Sequence, residues 1–150
     1  MDIKYMKLAF IEAMKAYKLN EAPIGCVIVC NNEVIAKSHN LRETKNLVSA
    51  HAEILAITKA NKKLNSWRLD DCDIYVTLEP CIMCLGAIYQ ARIKNLYFGA
   101  YDKRYGGIKS LVNDLNKNYN HELNVVGGIM ENECSKIITD FFKTLRSWIN

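Results

Sequence analysis

Apolar residues at Met6, Ala9, Phe10, Ala13 and Met14 recur with the spacing of one helical face, so the pattern predicts an amphipathic helix over residues 1–17. Pro23 and Gly25 interrupt that pattern, and the apolar run Ile24 to Cys30 reads as a buried strand. Asn31-Asn32 makes a turn into a second short strand, Val34 to Ser38, giving a hairpin. Leu41 to Ser49 is polar and reads as a loop. A helix follows over Ala50 to Lys63, with Ile54, Leu55, Ile57 and Ala60 apolar. Cys72 to Leu78 reads as a strand, and Pro80 ends it where a helix over Cys81 to Ala91 can begin. Beyond it the pattern predicts a strand at Asn95 to Phe98, a charged loop over Tyr101 to Ser110 and a helical turn at Leu111 to Leu115. Asn116 to Asn120 is polar, Leu123 to Val126 is a last short strand, and Met130 to Arg146 is a terminal helix. Its inward positions are Cys134, Ile137, Ile138, Phe141 and Leu145.

This succession predicts an α/β fold, with helices on both faces of a mixed sheet in three α/β/α layers. A length of 150 residues suits a single domain over 1–150. With 50% hydrophobic and 24% charged residues, the composition is that of a folded protein rather than a disordered one. No apolar run reaches the length of a bilayer span, and Met1 to Phe10 lacks a secretory leader's apolar core, so a cytoplasmic protein with reduced thiols is expected. The net charge of +4 is spread over both halves, which excludes a basic tail. It suits a solvated surface and a nucleic-acid footprint assembled by folding equally well.

Chemistry enters with the 6 cysteines. Cys26 and Cys30 lie in a strand-like run, Cys72 opens another and Cys134 lies in a helix, where buried inert thiols are ordinary. Cys81 and Cys84 form Cys-x-x-Cys at a helix start, where free N–H groups and the helix dipole favour thiolates. His51 and Glu53 open the preceding helix in His-Ala-Glu. One imidazole and two thiolates make a Cys₂His set for zinc with a fourth tetrahedral position left for water, the pattern of a catalytic site. Glu53 is then free to move protons, provided the motif sits at the helix entrance; mid-helix, residues two apart face opposite sides. A redox Cys-x-x-Cys pair is the alternative, but it gives no role to His51, Glu53 or Pro80. Together His-Ala-Glu and Pro-Cys-x-x-Cys match the zinc-deaminase signature.

These motifs resemble those of the cytidine deaminase-like superfamily. Thr77 to Ala87, Arg92-Ile93, Ala22-Pro23-Ile24-Gly25 with Asn40, Phe98 to Asp102 and Asp140-Phe141-Phe142 narrow the resemblance to bacterial tRNA-specific adenosine deaminases, from the first helix to about residue 146. The resemblance implies a five-stranded sheet, a homodimer, one Zn²⁺ per chain, and hydrolytic deamination of the wobble adenosine of a tRNA anticodon loop to inosine. It also implies that Asn40, the backbone near Ile24 and the backbone of Ala52 hold the flipped base. The sequence departs from the family at Leu47-Val48-Ser49-Ala50 before His51, and at Arg104 to Ser110, which is bulkier and more basic. Candidate RNA contacts are the Asp102 loop with Lys103, Arg104 and Lys109, together with Arg146 and a stacking Phe142. The rival readings are a deaminase of free guanine, cytosine or a nucleoside, which shares the metal motif, and an RNA-binding module with a structural zinc, which has no use for Glu53.

Overall fold

A computed structural model describes residues 1–104 and 108–149, without the side chains of Lys109 and of residues 146–149. The elements are α1 (Ile3–Lys18), β1 (Gly25–Cys30), β2 (Glu33–His39), α2 (Arg42–Lys45), α3 (Ala52–Leu64), β3 (Cys72–Leu78), α4 (Ile82–Gln90), β4 (Asn95–Ala100), α5 (Ile108–Asn118), β5 (Asn124–Val126) and α6 (Glu131–Ile149). The strands form one mixed sheet in the order β2-β1-β3-β4-β5. β1 runs antiparallel to both β2 and β3, whereas β3, β4 and β5 are parallel.

Alternation along the strands divides the core in two, as side chains of successive residues point to opposite faces. Cys26, Ile28, Ile74, Val76, Leu96 and Phe98 pack against α3, α4 and α5 through Ala56, Ile57, Leu85, Ile88, Tyr89 and Ile108. On the other face Val27, Val29, Tyr75 and Tyr97 meet Tyr5, Met6 and Ala9 of α1, with Ile129 leading into α6. This is the expected three-layer α/β/α sandwich with a five-stranded mixed sheet.

The structure corrects several local expectations. Leu41 to Ser49 is not all loop: α2 makes one turn, closed by Asn46 at a left-handed φ of 52°. The carboxylate of Glu21, 1% exposed, accepts the N–H groups of Glu43 (3.1 Å) and Thr44 (2.6 Å) at its start. The turn expected at Leu111 to Leu115 is an eleven-residue helix. Its asparagines favour loops, but Tyr89 donates its hydroxyl toward the Val112 carbonyl and Asn116 Oδ1, and this tertiary anchor overrides propensity. On α1 the buried stripe includes Tyr5, Glu12 and Ala16, and Met14 is exposed. Glu12 is buried because it pairs across to β2 through His39 Nδ1 at 3.0 Å, and also takes Lys15 at 2.6 Å. Leu145 is 40% exposed rather than inward: α6 meets the sheet at Cys134, over Gly99, while the buried Phe141 packs on Tyr17 of α1.

Two glycines set the spacing of the layers. A Cβ on Gly25 would overlap the Ala9 carbonyl and sit 2.5 Å from the Ala13 nitrogen, so α1 can lie this close to β1 only because Gly25 has no side chain. Gly99 plays the same part beneath Cys134 of α6. Because backbone atoms cannot yield, Gly25→Ala is expected to cost about 3 kcal/mol, the upper range for overpacking. Urea unfolding should show a lower midpoint at unchanged slope; an unchanged midpoint would contradict the packing argument.

Candidate active site

The sheet register gathers the ends of several strands at one edge. Gly25 pairs with His39 and Leu78 with Ala100, so Ile24, Asn40, Glu79 and the residues after Ala100 all emerge at the same level. Ligand sites of open α/β sheets lie beyond such strand ends. α3 and α4 both begin here.

Each of these helices starts with an unusual N-cap. His51 stands at the N-cap of α3 (φ −76°, ψ 151°) and Cys81 at that of α4 (φ −73°, ψ 172°); the imidazole makes no bond to its own helix, and the Cys81 sulfur takes hydrogen bonds from Cys84 while facing His51. Ser, Thr, Asp or Asn at such a position would turn back to an N–H group. Here the extended backbone instead aims both side chains across the gap. Cys84, one turn into α4, completes the group: His51 Nδ1 lies 3.7 Å from Cys81 Sγ and 3.5 Å from Cys84 Sγ, and the three ligand atoms all fall within 4.8 Å of one another. Zn–S and Zn–N bonds of ordinary length at tetrahedral angles put S and N about 3.6 Å apart, so the donor set has the span as well as the chemistry of a zinc site.

The thiols are coupled. Cys81 is pushed down to about 3, first by a hydrogen bond from Cys84 and then by one from His51. Cys84 is raised, because its proton is shared with Cys81 and its surroundings are dry. The pair therefore sheds one proton readily and keeps the second until a cation replaces it, the linkage expected of a metal-binding dithiol. His51 is raised, first by its bond with Cys81. Glu53 lies in the first turn of α3 at 4% exposure, and burial raises its carboxyl to about 7. It shares the pocket because His51 stands outside the helix in extended backbone, which removes the opposite-face problem of a two-residue spacing.

The base-holding candidates lie along the same rim. Ala52 is wholly buried as the first residue of α3, where N–H groups lack intrahelical acceptors. The Asn40 N–H donates to the Ile24 carbonyl at 3.0 Å, and Asn40 Oδ1 accepts from the Arg42 N–H at 3.1 Å. Asn40 is therefore built into the loop turn while standing at the site's edge.

On the far side, Asp102 Oδ1 accepts the Arg104 N–H at 2.9 Å, and Lys103 and Arg104 are exposed. Phe142 is 38% exposed and packs edge-on against the buried Phe141. Lys109 and Arg146 fall on α5 and α6, but their side chains lie outside the described part of the structure. Sequence reasoning missed the structural carboxylates around the site. Glu21 and Glu79 are both buried, and each is followed by a proline within two residues, which was the available signal.

The sequence profile of the MafB19-like deaminase family matches residues 1–146. A tRNA-specific adenosine deaminase of Bacillus subtilis (strain 168) is 47% identical over 146 residues, covering 97% of this chain and 91% of that protein. The chain belongs to the tRNA-specific adenosine deaminase family. A second family member, from Aquifex aeolicus, is 42% identical and covers 95% of each chain. A solved tRNA:A34 deaminase, studied for A-to-I editing at the wobble position, superimposes with a TM-score of 0.85 at 42% identity, over 91% of this chain and 99% of that one. A guanine deaminase from Nitrosomonas europaea shares the fold alone, with a TM-score of 0.81 at 18% identity over 94% of this chain and 84% of that one.

Within this family site, the Glu21 anchor carries a pH signature. Burial opposes its charge, but hydrogen bonds from the Thr44 hydroxyl and N–H and from the Glu43 N–H outweigh it and hold the carboxyl below its ordinary 4.5. A depressed folded pKa contributes stability that is complete above about 4.5 and is lost as pH falls through the folded value. Glu21→Gln should therefore be less stable at pH 7 by about 1.5–3 kcal/mol, with the gap to wild type closing in acid. Chemical unfolding at both pH values measures this; a gap that widens in acid would contradict it.

Proposed function

We propose that the protein hydrolytically deaminates the wobble adenosine in a tRNA anticodon loop to inosine, with His51, Cys81 and Cys84 holding one zinc ion and Glu53 moving protons. The observation that carries the reading is the placement of a buried carboxyl of near-neutral pKa beside an open three-ligand donor set. Near-full-length identity to tRNA-specific adenosine deaminases supports the choice of substrate.

Zinc, when bound, stabilises both thiolates and makes water a usable nucleophile at neutral pH. The remaining work falls to the chain. The Glu53 carboxylate takes a proton from water as the water oxygen attacks adenine C6 and passes it to ring nitrogen N1; it then takes the proton of the new C6 hydroxyl and gives it to the amine, which leaves as ammonia while C6 becomes a carbonyl. Adenosine and water thus become inosine and ammonia. A carboxyl near 7 suits both halves of that exchange, since an acid–base catalyst works best with its pKa close to the working pH. Burial of Ala52, Cys84 and Glu53 excludes bulk water from the base pocket. Asn40, the backbone at Ile24 and the Ala52 N–H orient the flipped base.

An anticodon loop is single-stranded, so extracting its base is cheap compared with opening a duplex. Asp102, Lys103, Arg104, Lys109 and Arg146 form the RNA-facing rim, with Phe142 as a stacking surface. We further propose a cytoplasmic homodimer in which residues 1–150 form one deaminase unit. Among the described residues, no helix is long and apolar enough to cross a membrane.

Purified protein should contain one zinc per chain by elemental analysis; a protein free of zinc with Cys81 and Cys84 joined would overturn the metal assignment. It should convert an unmodified anticodon stem-loop with a wobble adenosine to inosine, and act far less on free adenosine, guanine or cytosine. Efficient turnover of a free base would replace the tRNA reading with that rival. Glu53→Gln should retain zinc and lose turnover by at least about 10²-fold; loss of zinc in this variant, or near-normal turnover, would contradict the shuttle role.

A further inference from the structure

Glu79 stands immediately before Pro80 and Cys81, is 6% exposed, and takes no part in the donor set. Its carboxylate reaches instead to the segment after β4. Oε1 accepts the Asp102 N–H at 2.9 Å, and Oε2 accepts the Ile108 N–H at 3.3 Å. One side chain thus ties down both ends of the connection between β4 and α5. Its own N–H donates to the Ala100 carbonyl at 2.8 Å, which continues the β3–β4 ladder by one step and fixes the carboxylate's origin.

The second contact also matters electrostatically. Ile108 is the first residue of α5, and a carboxylate on a first-turn N–H satisfies an orphan donor and complements the helix dipole. The first contact sets the backbone from which Lys103 and Arg104 project, and the Asp102 Oδ1 bond to the Arg104 N–H tightens the same turn. Burying an ionisable group is costly unless it is hydrogen-bonded, so a carboxylate held here is explained by the two N–H groups it organises. The rigid side of the contact is the metal-bearing strand–helix junction, and the held side carries the cations.

We propose that Glu79 is a positioning residue for the nucleic-acid substrate, presenting Lys103 and Arg104 to phosphate at a fixed distance from the Cys81 junction. The assignment rests on the tRNA reading of the site. Through this link, substrate affinity depends on a carboxylate that touches neither base nor metal.

The test measures kcat and KM on the anticodon stem-loop for wild type, Glu79→Gln, the double variant Lys103→Ala/Arg104→Ala, and the triple combination, with zinc content and circular dichroism for each. Glu79→Gln keeps the volume but turns a donor toward one of the two N–H groups. It should raise KM about tenfold, the loss of one charge-assisted hydrogen bond, with kcat, zinc and fold retained. Added to the double variant, it should raise KM no further, since the cations through which it acts are gone. An unchanged KM, or a full additional rise on the double background, overturns the assignment. A second measurement needs no variant: in wild type the Asp102 and Ile108 amides should be protected from hydrogen exchange equally with and without stem-loop, and protection appearing only with RNA overturns the staple. A wild type inert on the stem-loop overturns the tRNA reading and this assignment together, whereas an active wild type with an indifferent Glu79→Gln overturns the assignment alone.

Discussion

Two helices begin within reach of one another at the same edge of the sheet, and the rest of the site follows from that meeting. In most helices the N-cap side chain folds back on free N–H groups; His51 does not, and the Cys81 sulfur takes hydrogen bonds from Cys84 while also facing the His51 imidazole. Those hydrogen bonds, together with the positive start of α4, lower the cost of thiolate at Cys81. The parallel β3–β4 pair sets where α4 starts, while the antiparallel hairpin β1–β2 brings Ile24 and Asn40 to the same level from the other side.

Buried carboxylates tie together the segments around this meeting point. Glu12 ties α1 to β2 through His39, Glu21 starts α2, and Glu79 spans the β4–α5 connection. Loops carry backbone N–H groups that a dry core cannot satisfy, and an ionised carboxylate accepts two of them at once. The site thus combines the junction of His51, Cys81 and Cys84 with rims whose geometry depends on single side chains. Leu47 and Val48, just before His51 in the chain, and Ile82, just after Cys81, are exposed.

Much of the fold could be read from the chain, because the apolar runs of β1, β3 and β4 and the stripes of α1 and α3 record their environments directly. The metal-ligand candidates were legible for a different reason: one histidine and two cysteines, residue types with strict chemistry, stand at helix starts, where spacing has few alternatives. What escaped reading was held by partners remote in sequence. α2 exists through Glu21, more than twenty residues earlier, and α5 extends through Tyr89 of another helix. Leu145 looked inward from its periodicity, yet α6 meets the sheet at Cys134 and Phe141 packs on Tyr17 of α1, leaving Leu145 exposed. Glu79 lay inside a motif whose neighbours drew the chemical interpretation, and nothing in its local pattern names the Asp102 and Ile108 amides as its partners.

X-ray absorption at the zinc edge of the purified protein tests most directly whether the two helix starts form an open metal site. The account predicts a protein shell of two sulfurs at about 2.3 Å and one imidazole nitrogen at about 2.0–2.1 Å, with the remaining ligand not supplied by the protein. A closed shell of four protein ligands, or a shell without sulfur, would contradict it.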